Sequence, residues 1–510
     1  MQREVPSPHG LNSVPSRGSA GVNSHGILLA LVLLCAGILR FYHLQFQDFW
    51  RDEAFSLVLS RQELVPLWND VVKDFVHPPL YYLMLHMWMK VAGDVPVQAR
   101  ALSALFGCLS VLAAYAVGRL AYGRAVGLLG AALFAVSWMD VKYSQETRPY
   151  EVATFWVLAA LGFFLAALRQ KRTPWWWFFA GSSALAMYTH YYTALVLLGV
   201  MLWSAAAGKK YVPALRWWIG GGVVAAVPLA TWMTSGVVQQ ALGSAKLMTD
   251  SGVGSAALKW WSVGSTINYF NGGKWNGEAA QTPLWMLLLG MLVFTAPVAL
   301  ALLRSRREQT WEGDVTLLLA AVVLVPLIVV LALGLFGVQY FPRYVLFGLA
   351  PYYLLAIRGM LAYRKHWWRI VAVAAAMLFQ APALWSNYHV PFKMAVGDGL
   401  KYLAEQYRPD DCIAFNRTRT PQTLTFNPPV LWFALKMDRA GMKTIKLDPQ
   451  SADAAEGCRR LWAVYEYSFT GAIPAHEKAL MEKAAGLAER ISERRFDGIV
   501  VSLWRLSSQE

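Results

Sequence analysis

Long apolar runs alternate with short polar stretches through most of the chain, and the alternation stops near residue 385. A helix needs about 20 apolar residues to cross a bilayer. By that measure spans are predicted near 26–45, 97–119, 125–139, 150–168, 175–189, 191–207, 214–234, 283–303, 315–337, 344–361 and 369–385. The first run, GILLALVLLCAGILRFYHL, has no small-residue cleavage site before the polar loop that follows, so it reads as a retained anchor and not as a signal peptide. Residues 79–93, PLYYLMLHMWMKVAG, are apolar but short for an upright span, which suits a re-entrant, tilted or interfacial piece.

Beyond residue 385 the pattern changes. DDCIAF, TIKL, RLWAVYEY and DGIVVSLWRL are short strand-like runs, and PAHEKALMEKAAGLAERI before the last is helix-like. Residues 386–510 are therefore expected to form an extramembrane α/β domain. Residues 1–25, rich in Ser, Pro and Gly, read as a disordered tail. The fold class is mainly α: a polytopic transmembrane bundle of about 11–13 spans carrying a C-terminal α/β domain.

Composition agrees: 56% of the residues are hydrophobic and 23 are Trp. The net charge of +15 does not point to nucleic acid, because the basic residues sit in short clusters between apolar runs. AYGRA at 121–125, RQKR at 169–172, GKKY at 208–211, RSRR at 304–307 and YRKHWWR at 363–369 mark cytoplasmic turns by the positive-inside rule. The amino terminus then lies inside, a cytoplasmic tail, provided 79–93 does not fully cross. The 46–78 loop, YSQETRPYE, the 236–281 loop, YFPRY and the tail lie outside. The 236–281 loop, with KWWSVGSTINYFNGGKWNG, suits the headgroup level and could cap an outer cavity. Cys35 and Cys108 fall in apolar runs; Cys412 and Cys458 are disulfide candidates if the tail faces an oxidising compartment. No cysteine or histidine spacing suggests zinc.

Four polar clusters gather on the predicted outer side: Arg51, Asp52 and Glu53; His77 with Pro78 and Pro79; Gln145, Glu146, Arg148 and Tyr150; and Arg343 with Tyr344. Charged groups held near lipid are functional candidates by default. Neighbours on a helix point about 100° apart, so only one of Asp52 and Glu53 would face a cavity. Each cluster also has a structural alternative. Asp52 could cap the helix AFSLVLSRQELVPLW, whose Phe55 and Leu59 could lie flat on the membrane. His77 could be a solvated residue before a proline-started helix. Arg148 could pair with Glu146 or Glu151, and the Tyr residues around 143–150, 188–192 and 340–344 could form an aromatic belt.

Taken in order, DE in the first outer loop, HPPLYY, YSQETRPYE, YTHYY and RYVLFGLAPYYLL resemble glycosyltransferase family 39, which includes the protein O-mannosyltransferases and the bacterial aminoarabinose transferase of lipid A. The resemblance covers roughly residues 26–385. It implies a glycosyltransferase C fold, an outer catalytic cavity and a sugar donor carried on a polyprenyl phosphate. It makes Asp52 the catalytic base, with Glu53 beside it. His77, Tyr81, Tyr82, Gln145, Glu146, Arg148, Tyr150, His190, Arg343 and Tyr344 become donor-phosphate or substrate-binding candidates. Some relatives carry Lys where His77 stands, so a charge titrating near pH 6 to 7 is expected here in place of a fixed one.

No cofactor is required by this reading. A divalent metal could bridge Asp52 or Glu53 to the lipid phosphate, although no DxD motif completes an oxygen-ligand set. The acceptor would be a lipid, glycan or protein hydroxyl, and the expected location is the cell (inner) membrane with the active site on the periplasmic or extracellular side. The rival is a transporter or flippase of lipid-linked sugars, which should place polar residues near the bilayer midplane. Most predicted spans have apolar centres.

Overall fold

The computed structural model describes residues 24–49, 51–74, 77–207, 211, 268, 270–271, 284–335, 341–393, 396–415, 442, 444–446, 458–466, 488–496 and 499–506. The predicted tail at 1–23, the span at 214–234 and nearly all of the 236–281 loop lie outside the described residues.

Each predicted span within them is helical. In chain order these are α1 (Ser24–Phe41), α5 (Pro96–Tyr122), α6 (Arg124–Ala135) with α7 (Trp138–Ser144), α8 (Tyr150–Gln170), α9 (Thr173–Thr189), α10 (Thr193–Ala206), α11 (Leu284–Gly290) with α12 (Ala296–Ser305), α13 (Trp311–Leu335), α14 (Leu349–Met360), and α15 (His366–Phe379) with α16 (Ala381–His389). Among the described residues six helical stretches are long and apolar enough to cross a membrane. A seventh is the pair α6 and α7, bent by 62° where Val136 and Ser137 interrupt the run predicted at 125–139. The run at 344–361 also departs from one smooth helix: Pro342–Gly348 is a tight 3-10 segment that runs into α14.

Three elements lie between α1 and α5: α2 (Arg51–Ser60), α3 (Leu64–Asp74) and α4 (Leu80–Ala92). The helix predicted over AFSLVLSRQELVPLW is two helices. Leu59 is buried and Phe55 packs against the same core, so these residues do not lie on the membrane; Leu64, Val65 and Trp68 of α3 form the exposed apolar face. The inner core joins α5, α6, α8, α10, α12, α13 and α14, with Phe134, Leu161, Phe164, Leu319 and Leu354 fully buried. Small residues let backbones meet there, as in other membrane helix pairs. A Cβ on Gly127 of α6 would stand 2.8 Å from the backbone of Arg119 in α5, and one on Gly199 of α10 would stand 2.7 Å from the Ala321 carbonyl of α13.

Among the described residues the basic turns at 121–125, 169–172 and 304–307 converge at one end of the bundle. Arg169 and the Trp311 indole both donate to the Leu120 carbonyl, and Arg358 covers the Tyr122 ring while pairing with Glu308. Arg100, near the other end of α5, is roughly 33 Å away along the helix.

The tail folds as α17 (Val396–Gln406) and five strands: β1 (Asp411–Phe415), β2 (Thr444–Lys446), β3 (Arg460–Glu466), β4 (Ala488–Phe496) and β5 (Ile499–Leu506). The sheet order is β2-β1-β3-β5-β4, with β1 parallel to β2 and β3, and β5 antiparallel to β3 and β4. Period-2 alternation puts Ile413, Trp462, Val464, Val501 and Leu503 in one buried cluster with Leu403 of α17. The helix read over PAHEKALMEKAAGLAERI runs too far: Ala488–Phe496 is strand, its charged residues paired in register with β5, and residues 474–487 lie outside the described residues. Cys412 in β1 and Cys458 before β3 are joined as a disulfide, with Cα atoms 5.7 Å apart.

Candidate active site

The end of the bundle opposite the basic turns gathers α2, the His77 loop, the 145–149 turn, the 190–192 turn and the 3-10 segment Pro342–Gly348. Two charge clusters lie side by side there, and they divide the Asp-Glu pair of α2 between them.

Glu53 is fully buried, and both its oxygens are occupied. Arg100 of α5 grips it with Nε at 2.8 Å and Nη2 at 2.9 Å, the Thr147 backbone N–H donates at 2.9 Å, and Lys393 Nζ donates at 2.7 Å. Lys393 also lies 3.3 Å from Glu146. Arg100 donates further to the carbonyls of Leu44, Gln47 and Asp48. Burial acts to raise the Glu53 pKa, but Arg100 and then Lys393 outweigh it and hold the group at about 2. Glu53, expected beside Asp52 as a catalytic group, thus sits in a closed ionic network.

Asp52 points the other way, with 27% of its side chain exposed, and its carboxylate lies 3.8 Å from Arg343 Nη2. Its carbonyl accepts from Arg148 Nη1 at 3.0 Å and from Ser56 Oγ at 3.1 Å. Arg148 also donates to Ser56 Oγ, and it lies 3.2 Å from His77 Nε2. It pairs with neither Glu146 nor Glu151, against the alternative drawn from sequence.

A guanidinium can only donate, so His77 Nε2 accepts and its proton sits on Nδ1. Nδ1 is buried and has no protein partner among the described residues. The His190 ring centre is 5.2 Å away; its Nδ1 accepts from the Tyr192 N–H, which leaves a buried Nε2–H likewise without a protein partner. Burial, then Arg148, His190 and Arg343, push the His77 pKa well below 6.5. Burial, Arg148 and Arg343 push His190 down to about 3. The charge expected to titrate on His77 near pH 6 to 7 is therefore absent; the imidazole is held neutral.

Tyrosines floor this open cluster. Tyr150 packs against His190, Tyr344 stacks on Tyr192 with ring centres 4.6 Å apart, and Arg343 lies over Phe341. Tyr82 meets the His77 ring, while Tyr81 is buried in the core beneath α2. Gln145 is turned away from the cluster: it donates to the Tyr42 carbonyl at 2.7 Å and accepts from Asn387 at 3.0 Å, tying α1 to α16. Among the described residues no three His, Cys, Asp or Glu side chains converge to hold a metal ion.

Four charged residues were missed from sequence. Arg100 and Arg40 lie inside predicted spans, and Asp140 directly follows one, which is itself a signal in an apolar helix. Arg40 pairs with Asp140, and Glu151 is buried beside them. Lys393 carries no such signal, because its partner lies 340 residues earlier in the chain.

The sequence model of the dolichyl-phosphate-mannose-protein mannosyltransferases matches residues 76–234, which take in His77, the 143–151 segment and His190. Among curated proteins none matches the chain. The crystal structure of ArnT from Cupriavidus metallidurans in the apo state is similar at 14% identity and a TM-score of 0.56, over 95% of this chain and 98% of that one. The crystal structure of the same protein bound to undecaprenyl phosphate is similar at 13% identity and a TM-score of 0.55, again over 95% and 98%. At such identities the likeness is one of fold, and it extends over nearly the whole chain. This integral membrane protein has the glycosyltransferase C fold, of the ArnT and protein mannosyltransferase type.

Proposed function

We propose that the chain is a membrane glycosyltransferase that moves a sugar from a polyprenyl-phosphate donor to a hydroxyl of a lipid, glycan or protein acceptor, at the periplasmic or extracellular face of the cell membrane. The observation that carries this reading is the division of the two neighbouring carboxylates: Glu53 is locked, and Asp52 opens onto Arg343, Arg148 and two neutral histidines. Asp52 accepts the acceptor hydroxyl's proton as its oxygen attacks the anomeric carbon. The bond from that carbon to the phosphate oxygen breaks, and in-line attack inverts the configuration. The departing polyprenyl phosphate keeps the electron pair and is stabilised by Arg343, with the His77 and His190 N–H groups as neutral donors. Arg148, which holds the Asp52 carbonyl and His77, fixes the two sides of the cluster relative to each other.

An apolar groove of about 470 Å³ between α4 and α5, lined by Leu83, Met84, Met87, Trp88, Val91 and Leu102, suits the start of a polyprenyl chain. The ArnT structure with undecaprenyl phosphate supports such a donor. A divalent cation, if used, would rest on Asp52 and the donor phosphate, since Glu53 is occupied. The flippase reading gains nothing from Arg40 and Glu151, which lie at the ends of α1 and α8 that face this same cluster, not at midspan; Asp140, on the first turn of α7, is held by Arg40.

The test is transfer from a polyprenyl-phosphate sugar to an acceptor-rich membrane extract, by the unaltered protein and by Asp52→Asn at matched folding. Transfer by the first and near-total loss in the second is expected. Equal transfer by both moves the base elsewhere, and donor movement across vesicles without transfer turns the reading to a flippase.

A further inference from the structure

The segment after α16 does more than connect the bundle to the C-terminal domain. Gln47, in the loop before α2, donates to the Asn387 and Val390 carbonyls and accepts from the Phe392 N–H at 3.1 Å. Asp48 accepts from the Gly397 N–H at the start of α17. Between these two ties, Lys393 reaches into the bundle with only 4% of its side chain exposed and meets Glu53 and Glu146. Lys142 flanks the same segment, its ammonium 5.1 Å from the Phe392 ring centre.

The charges close. Glu53 and Glu146 are balanced by Arg100 and Lys393, four buried groups with no net charge. Arg100 comes from α5 and Glu146 from the turn before α8, so the network draws three parts of the bundle together. Its one cation from outside the predicted 26–385 core is Lys393. Removing it leaves Glu53 on Arg100 alone and takes from Glu146 its ammonium partner, and a broken buried ion pair is far more costly than an absent one. Glu53 is the residue next to Asp52 on the first turn of α2. A rotation of α2 that lets Glu53 escape would carry Asp52 off the Arg343 side.

We infer that Lys393 is a positioning residue: by clamping Glu53 it fixes the azimuth of α2 and so aims the Asp52 carboxylate at the reacting hydroxyl. This rests on the reading of Asp52 as the base. Lys393 itself touches neither donor nor acceptor, so its loss acts on the chemical step and not on donor binding.

The experiment measures kcat and the donor KM for the full chain as Lys393→Met, Lys393→Arg and Lys393→Met with Glu146→Gln. In the last, Arg100 alone balances Glu53, which protects folding if the single change does not fold. Lys393→Met, or the folded double variant, is expected to lose about 10- to 100-fold in kcat with donor KM little changed, the scale of a catalytic group misplaced by about 1 Å. Lys393→Arg should regain most of it. The same change on an Asp52→Asn background should alter the residual transfer by less than about two-fold, because the group being aimed is already gone.

Unchanged kcat, a loss confined to KM, or a full additional loss on the Asp52→Asn background would each overturn the assignment while leaving the base in place. Full transfer by Asp52→Asn alone would instead remove the base reading, and the positioning role with it.

Discussion

Asp52 and Glu53 are neighbours on one turn of one helix, yet they live in different chemical worlds. Glu53 is saturated: a bidentate guanidinium, an ammonium and a backbone N–H fill its lone pairs, and no water reaches it. Asp52 has one arginine at ion-pair range and partial exposure. A carboxylate with every lone pair engaged and a pKa near 2 is a poor base. A partly exposed one keeps lone pairs open to a group brought beside it. Roughly 100° of helical rotation separates the enclosed carboxylate from the open one.

The sharpest way to break this contrast is to swap the carboxylates for their amides one at a time. Asp52→Asn should lose transfer by about 10²- to 10⁴-fold with thermal stability nearly unchanged. Glu53→Gln should behave oppositely in kind: it leaves Arg100 and Lys393 with one anion between them and should destabilise by about 3–5 kcal/mol, read by denaturation in detergent. If Glu53→Gln folds as well as the unaltered protein, the closed network is not what it looks like.

A smaller effect is expected at Arg343. Arg343→Lys keeps the charge but loses the planar fork and should cost about 10-fold in kcat or more, whereas Arg343→Met should cost more still. Equal losses would mean that the planar fork alone matters there, and a silent Arg343→Lys that only net charge does.

The histidines give a pH test. Their folded pKa values lie below 6.5, so the unfolded chain binds protons first and stability falls as pH drops from about 6.5, by roughly 1.4 kcal/mol per unit for each group. Glu53 has the usual depressed carboxylate pattern, adding stability above about pH 4.5 that is lost as pH falls toward 2. A pH profile of transfer between 5 and 8 should therefore show no inflection that His77→Gln removes.

The smallest effect on transfer is expected from Cys412→Ser with Cys458→Ser. It opens a loop of 46 residues, worth about 4 kcal/mol to the C-terminal sheet by loop entropy, and should show as faster proteolysis of that domain with transfer little altered.

Much of this was legible in the sequence. The apolar runs give the helices because hydrophobic length is a strong signal, and the strands of the tail follow from alternation. The breaks did not follow: the bend at Val136–Ser137 and the split of α2 from α3 arise where tertiary packing overrides a run that looks continuous. The polar residues of the candidate site were legible as marks at span ends, but not the contacts that divide them into two clusters. Gln145 looked like a binding group and is a tie between helices; His77 looked titratable and is held neutral. Azimuth, burial and pairing across 340 residues decide these roles, and none of them is written in local spacing.

α4 has 13 residues, which is about 20 Å of helix against a hydrocarbon thickness of roughly 30 Å. Met87 and Val91 on its outer face are exposed, an apolar wall shorter than the hydrocarbon layer is thick. For the lipid-linked donor proposed above, such a wall would be a side door: arrival becomes a two-dimensional search, and turnover is expected to follow the donor's mole fraction in the membrane, not its amount per volume of buffer.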